Sequence, residues 1–297
     1  MKVPISIITP SYNQGRYIER TIRSVLDQGI AGMEYLVIDG GSNDETVPIL
    51  RDFGDRVSWV SESDAGHSDA INKGIRRSTG AIIGWLNSDD VYYPGALQNV
   101  LEYFEEHPDV EVVYGDANHI DEHDQFIEKY PTETWDWNRL IETCFISQPA
   151  TFLRRSVVDR CGLLDVTLRQ SMDYEYWIRL GKAGVRFAYL PRLLAATRLH
   201  DESFTVGSRV ACHRAVNVLM RRHFGRVPDR WIFNYAHAVV ETKGIQRDHA
   251  LSFAIAISAV SWYAAVRWNH GINGAIWKTT GSWLWGNLRR SMHGRPA

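Results

Sequence analysis

The chain has 297 residues, 44% hydrophobic and 23% charged, which excludes a disordered or fibrous protein and allows one large domain or one domain with an appendage. Cys144, Cys161 and Cys212 have neither paired nor metal-type spacing, so they suggest neither a disulfide framework nor a zinc site and fit a reducing compartment. The formal charge of −2 hides an asymmetry: residues 1–200 carry 20 Lys/Arg and 30 Asp/Glu, residues 201–297 carry 13 and 5, and six of the 11 tryptophans lie in that basic tail.

Val3 to Thr9 is an almost continuous apolar run, as expected of a parallel strand buried on both faces. It moves into the strand with no separate apolar leader or cleavage site, so no signal peptide is expected. Pro10-Ser11-Tyr12-Asn13-Gln14-Gly15 is turn chemistry, and Tyr17, Ile18, Thr21, Ile22, Val25 and Leu26 fall at helical spacing before Gly29. A second strand, Glu34 to Asp39, runs into Gly40-Gly41-Ser42-Asn43-Asp44, where Ser42 or Asn43 would cap a helix reaching Phe53. A third strand is expected at Val57 to Val60, ending near Asp64, then a helix over Ser68 to Arg77. The fourth strand, Ala81 to Leu86, stops abruptly at Asn87-Ser88-Asp89-Asp90. Leu97, Val100, Leu101 and Phe104 mark an amphipathic helix, and Val110 to Asp116 a fifth strand.

This alternation implies right-handed crossovers and an α/β fold with a mostly parallel sheet and helices on both faces. Polar groups collect at the strand exits: Thr9, Asp39, Asp64, Asp89, Asp90 and Asp116. That edge is where open α/β sheets place ligands. No Gly-x-Gly-x-x-Gly follows the first strand and no phosphate-loop Gly-Lys-Ser/Thr is present, which weighs against a Rossmann dehydrogenase and a P-loop NTPase. Two hard carboxylates at Asp89 and Asp90 suit Mg²⁺ or Mn²⁺ if a diphosphate completes the coordination. The alternative is an acidic first turn before a helix opened by Pro94.

Beyond residue 117 the pattern loosens. Asn118 to Tyr130 suggests a hairpin, Thr134 to Leu140 a helix start, Ile146 to Phe152 a strand or extended loop, and Ser156 to Cys161 a short helix. Met172 begins a helix that closes near Gly184, and Arg186–Leu190 and Leu193–Leu199 are two expected strands leading to His200.

Five stretches, in order, resemble the inverting family 2 glycosyltransferases of the GT-A fold. They are Thr9-Pro10-Ser11-Tyr12-Asn13, Ile38-Asp39 through Thr46, Asp64 through Gly74, Asn87-Ser88-Asp89-Asp90 and Met172-Asp173-Tyr174 through Leu180. The resemblance covers residues 3–206. It implies a catalytic domain over 1–206, with a nucleotide-binding part at 1–116 and an acceptor-side part at 117–206. It also implies an enzyme that moves a hexosyl-type unit, with inversion, from a nucleotide-diphosphate sugar to a hydroxyl of a glycan or lipid-linked acceptor. UDP is favoured over GDP or dTDP. Such an enzyme would work in the cytoplasm, in cell-surface polysaccharide or glycolipid synthesis.

The residue roles implied are these. Asp90 is the first choice as direct ligand to Mn²⁺ or Mg²⁺, with Asp89 near the donor ribose or the metal's water shell, in the place of the family's DXD motif. His200 corresponds to a later histidine that approaches the metal or diphosphate. Asp173 is the general base and Glu175 its weaker rival. Asp39 binds the base or ribose, Thr9, Pro10 and Tyr12 line the base pocket, and Asp64 and Lys73 approach the donor. Trp85 and Trp177 read as core. Two departures stand out: the second turn has Gly40-Gly41 where a second acid is common, and Met172 replaces a glutamate before Asp173. A catalytically inactive nucleotide-sugar-binding module is one alternative. A sugar nucleotidyltransferase is another, but it would want a glycine-rich basic first loop.

Residues 207–297 lie beyond the resemblance and read as a helical, basic, Trp-rich extension, either a lid or a peripheral contact with the inner face of the membrane. Ala250 to Val266 is an uncharged run expected as a buried helix rather than a membrane span. Trp277, Lys278, Trp283, Trp285, Leu288, Arg289 and Arg290 suit an anionic membrane surface. No nucleic-acid-binding motif accompanies the basic charge.

Overall fold

The structure is a computed structural model that describes residues 4–200, 208–245 and 247–292. Val3, the stretch Asp201 to Thr205, the expected domain boundary at 206 and the Arg290 side chain fall outside the described residues. Two compact units are present, Met1–Leu140 with Cys144–Ser203, and Ile141–Thr143 with Phe204–Ala297.

The first unit alternates β1 (Ile5–Ser11), α1 (Ile18–Leu26), β2 (Glu34–Asp39), α2 (Thr46–Asp52), β3 (Ser58–Ser61), α3 (His67–Arg77) and β4 (Ile82–Trp85). Then come β5 (Val91–Tyr92), α4 (Ala96–Glu106), β6 (Val112–Ile120), β7 (Phe126–Lys129), α5 (Trp137–Glu142), β8 (Thr151–Arg154), α6 (Arg155–Cys161), α7 (Met172–Lys182) and β9 (Phe187–Arg198). The strands form one sheet in the order β3-β2-β1-β4-β8-β6-β9-β5, with β7 paired to β6. Every residue of β1 is buried, as its apolar run requires of a central strand.

The half β3-β2-β1-β4 is parallel, as the alternation of strand and helix demands. Beyond it the sheet is mixed, because β8 runs antiparallel to both β4 and β6. Gly84 makes the first of these pairings possible: a Cβ there would lie 2.8 Å from the Phe152 ring. The two strands expected near residues 186–199 are one, β9, parallel to β6. A register shift opposite Gly115 and Asp116 absorbs Pro191 and Arg192, and a bulge is where a ladder tolerates proline. The fifth strand likewise runs on to Ile120 and turns back into β7.

Ile7, Ile22, Val37, Leu97, Val113 and Phe152 belong to the buried core between sheet and helices. Trp85 and Trp177 are buried and stacked, 5.5 Å between ring centroids. Neither is placed to meet a sugar.

The second unit holds α8 (Arg209–Phe224), α9 (Asp229–Thr242), α10 (Ala250–Asn269) and α11 (Gly274–Met292). Ala236 and Val240 of α9 and Ile257 of α10 form its core, with Trp283 packed against them. Trp231 Nε1 donates to the Ile141 carbonyl at 2.9 Å and ties residues 141–143 to this unit. The uncharged run in α10 is buried on one face only. Ala254, Ile257, Ser261, Ala264 and Trp268 point inward, while Ile255, Tyr263 and Val266 are exposed. By length and composition alone α10 could cross a membrane.

Candidate active site

The turns after β1 and β2 are latched together by side chains acting on backbone. Asn13, in left-handed conformation, donates its N–H to Ser42 Oγ at 2.7 Å and accepts the Asn43 N–H at 3.0 Å. Asp44 accepts from the N–H groups of Gly15, 2.8 Å, and Thr46, 3.0 Å. Asp44 therefore serves the start of α2, where Ser42 or Asn43 was expected. Ser42 is drawn away by Asp39, whose carboxylate accepts its hydroxyl at 2.5 Å.

Asp39 is completely buried. Its Oδ2 also accepts from the Gly41 N–H, the Ser42 N–H and Ser61 Oγ, at 3.1, 2.9 and 2.6 Å. Both oxygens help to close the turn, Oδ1 with one hydrogen bond and Oδ2 with three. Thr9 and Pro10 are also buried in the sheet, Thr9 Oγ1 lying 3.1 Å from Tyr35 Oη. Of the three residues expected to line the base pocket, Tyr12 is the exposed one, at 62%. The Gly40 departure has a steric cause: a Cβ at position 40 would lie 2.8 Å from Asp64 Oδ2. Asp64 fills the space beside that turn, and its Oδ1 caps the Gly66 N–H at 2.8 Å. Lys73 is held locally, donating to the Ser63 carbonyl at 3.1 Å with Glu62 at 3.3 Å and Asp69 at 3.7 Å. Its ammonium is shared between that carbonyl and the two carboxylates.

At the exit of β4 the two adjacent carboxylates have opposite surroundings. Asp90 is 1% exposed, and its oxygens accept the Arg198 N–H at 3.0 Å and Asn87 Nδ2 at 3.1 Å. Burial first, and the neighbouring Asp89 second, hold the Asp90 carboxyl well above its ordinary pKa. Asp89 is partly exposed, and its Oδ2 lies 3.0 Å from His200 Nε2. Thr21 Oγ1, 2.9 and 2.8 Å from the carbonyls of Ser88 and Asp90, fixes the backbone of the motif.

Arg198, which has no role among the sequence expectations, lies at the centre of this cluster. Its side chain is fully buried; Nε donates to the Asp89 carbonyl at 2.8 Å and Nη1 to the Asp121 carbonyl at 2.9 Å, with Asp124 Oδ1 at 2.5 Å. The guanidinium lies over the Tyr17 ring, and Tyr17 in turn packs on His200 at 4.8 Å. One cation therefore orients both Asp89 and, through Tyr17, His200. The available signal was a lone arginine at the end of an apolar strand, two residues before the histidine. His67 is a second omission. It neighbours Asn87, Asp89 and Asp64, and burial holds its imidazole below its ordinary pKa.

The acceptor-side motif starts α7. Burial raises the Asp173 carboxyl above its ordinary pKa, against hydrogen bonds from its own N–H and that of Tyr174. Tyr130 and Cys144 feel its charge. Tyr130 Oη lies 3.1 and 3.3 Å from the carbonyls of Cys144 and Ile146, holding that loop. Glu175, the rival base, is 3% exposed and paired with Arg179 through two contacts of 3.1 and 3.0 Å. It is structural.

Among the described residues no three His, Cys, Asp or Glu side chains form a metal-holding cluster. A Mg²⁺ or Mn²⁺ shared with a diphosphate needs only one or two protein ligands, and the Asp89–His200 pair supplies an oxygen and a nitrogen. The residues present fit such an ion.

The family model for "Glycosyl transferase family 2" matches residues 6–162. An uncharacterized glycosyltransferase of Rickettsia typhi is 28% identical over 216 residues, 68% of this chain and 65% of its own length. Chondroitin synthase of Escherichia coli is 28% identical over 210 residues, covering 69% of this chain and 30% of that protein. The chain thus spans less than two thirds of these relatives. Among solved structures, TarS 1–349 of S. aureus in complex with UDP-GlcNAc aligns with a TM-score of 0.61 at 14% identity, over 98% of this chain and 92% of that one. That likeness extends the shared fold over both the mixed sheet and the helical C-terminal region. With its family model covering more than half of its length, the chain belongs to glycosyl transferase family 2.

Proposed function

We propose that the protein is a metal-dependent, inverting glycosyltransferase that moves a sugar from a nucleotide-diphosphate sugar to a hydroxyl of a glycan or lipid-linked acceptor. The observation that carries this reading is the 3.0 Å approach of Asp89 Oδ2 and His200 Nε2 at a strand exit, beside the two latched turns. UDP is the favoured nucleotide, because the TarS structures of this fold hold UDP and UDP-GlcNAc. We place the reaction in the cytoplasm, with peripheral contact to the inner face of the membrane.

Asp89 and His200 would hold Mn²⁺ or Mg²⁺, which supplies Lewis-acid stabilisation of the leaving diphosphate when bound. This reverses the order the resemblance implied, since Asp90 already serves Arg198 and Asn87. Asp90 and Arg198 then act as positioning residues. Asp39 and Asp64 shape the nucleotide turn, and Tyr12 offers the exposed ring beside it. Asp173 accepts the acceptor proton as the hydroxyl oxygen bonds to the anomeric carbon. The bond from that carbon to the diphosphate oxygen breaks, its electron pair leaving with the diphosphate, and the configuration inverts. A carboxylate whose pKa is raised by burial is a stronger base than an exposed one.

A thermal-shift screen of UDP-, GDP- and dTDP-sugars, with and without Mn²⁺, tests donor and metal together. Stabilisation by a UDP-sugar that grows with Mn²⁺ is expected. Stabilisation indifferent to Mn²⁺ would remove the metal assignment. Donor turnover that survives Asp173→Ala would remove the base. A chain that binds the donor yet turns over none, with every acceptor class tried, would be the inactive binding module.

A further inference from the structure

The second unit carries an exposed apolar face that its own core does not explain. On α10, Ile255, Tyr263 and Val266 are 54%, 62% and 53% exposed, spaced 8 and 3 residues apart on the side opposite Ala254, Ile257, Ser261 and Ala265. On α11, Trp277, Trp285 and Leu288 are 51%, 58% and 41% exposed. The two helices meet where Trp262 packs on Trp277, 4.9 Å between centroids, and donates its Nε1–H to Thr280 at 3.0 Å. Apolar side chains of this size standing in solvent on two neighbouring helices mark an interaction surface rather than ordinary surface scatter.

Charge identifies the occupant. From His249 to the last residue the sequence contains no aspartate or glutamate and five Lys/Arg, so the positive sign is unmixed. Arg267 and Lys278 are exposed beside Val266 and Trp277, and the Arg289 guanidinium lies 4.9 Å from the centre of the Trp285 ring. Rings at the level of lipid headgroups with cations outside them match an anionic bilayer surface. The buried face of α10 is committed to the unit's core, where Trp268 packs on Tyr235 at 4.8 Å. That argues against crossing the bilayer as a lone helix.

We infer that the exposed faces of α10 and α11 dock on an anionic lipid bilayer surface, with Tyr263, Trp277 and Trp285 as wedges and Arg267, Lys278 and Arg289 as the electrostatic contacts. This deepens the peripheral location proposed above and is independent of the metal and base assignments. Its failure would leave the glycosyltransferase reading intact.

The test is vesicle flotation of the full chain, comparing pure phosphatidylcholine with phosphatidylcholine containing phosphatidylglycerol. Binding is expected to the anionic vesicles and to weaken as salt rises. Removing a cation near the surface costs about fivefold in partition, so Lys278→Glu with Arg267→Glu is expected to lower binding at least about 25-fold. Tyr263→Ser with Trp285→Ser is expected to lower it while leaving far-UV circular dichroism and UDP-sugar binding unchanged. Equal binding to both vesicle types, no binding to either, or binding that survives 0.5 M salt and alkaline carbonate would overturn the inference. So would a dimer in light scattering that the same two aromatic substitutions disperse, because the face would then belong to a second copy.

Discussion

In the first unit the charged groups at the strand exits are held one by one. Asp39 closes a turn through Gly41, Ser42 and Ser61, Asp90 accepts from Arg198 and Asn87, and Arg198 joins Asp89, Asp121 and Asp124. In the second unit Tyr263, Trp277 and Trp285 stand in solvent near cations, and what matters is summed area and charge. The first arrangement depends on bond geometry, so a single atom can decide the outcome. The second depends on additive, salt-sensitive contributions, so effects are graded. Each substitution below is chosen to break that contrast or to sharpen it.

The largest effect is expected at Asp173. Asp173→Ala should lower transfer by about 10²–10⁴-fold while leaving donor affinity within a few-fold, measured by initial rates and by titration of a UDP-sugar. Loss of donor affinity instead would assign Asp173 to the nucleotide. The pH signs are opposite for activity and stability. Activity needs the ionised carboxylate, so it falls as pH drops through the raised pKa. For stability, a raised folded-state pKa means that folding favours the protonated form. The contribution is full below the unfolded pKa and is lost as pH rises through the folded one. Asp173→Asn should therefore match the parent in acid and exceed it in stability at neutral pH, seen by denaturant melts at both.

Asp89→Asn is expected to reduce transfer by about 10²–10³-fold and to abolish the Mn²⁺ dependence of nucleotide binding. Asp90→Asn should cost less than about tenfold, because asparagine can still accept the Arg198 N–H while the Asn87 amide turns over. The reverse ranking would restore Asp90 as the direct ligand.

Arg198 tests whether position-by-position order extends beyond the carboxylates. Arg198→Met keeps the length of the side chain but leaves the Asp89 and Asp121 carbonyls without their donor. A loss of about 3 kcal/mol in urea unfolding is expected, with weakened Mn²⁺ response. Its role also marks where legibility ended. Runs such as Ile5 to Thr9 and Ile82 to Leu86 declare strands because they are short, almost wholly apolar and bounded by turn residues, and each strand exit followed from its polar end. The reversed β8 and the bulge in β9 did not, since both are settled by pairing with residues about 40 to 75 positions away. Nor could adjacency rank Asp89 against Asp90. Both lie in the turn beyond β4, where the Asp90 N–H donates to the Asn87 carbonyl at 3.1 Å, so no strand alternation orders them, and which one faces the core depends on β9, over 100 residues on. For the same reason the linear sequence does not separate an Asp39 that binds nucleotide from one that builds the turn.

The smallest expected effect is in the tail, and it tests the contrast from the other side. Trp285→Ser removes a ring that is 58% exposed, so it should change stability by no more than about 0.5 kcal/mol in urea unfolding. Trp268→Ala, on the buried face of α10 against Tyr235, should cost about 3–5 kcal/mol in the same measurement. If the two substitutions cost the same, the tryptophans of α11 are core residues of a helical lid and the exposed face has no separate purpose. If only Trp268 matters for folding, the exposed rings are retained for something outside the chain. Vesicle binding by the folded Trp285→Ser protein then measures how much of that purpose is contact with lipid.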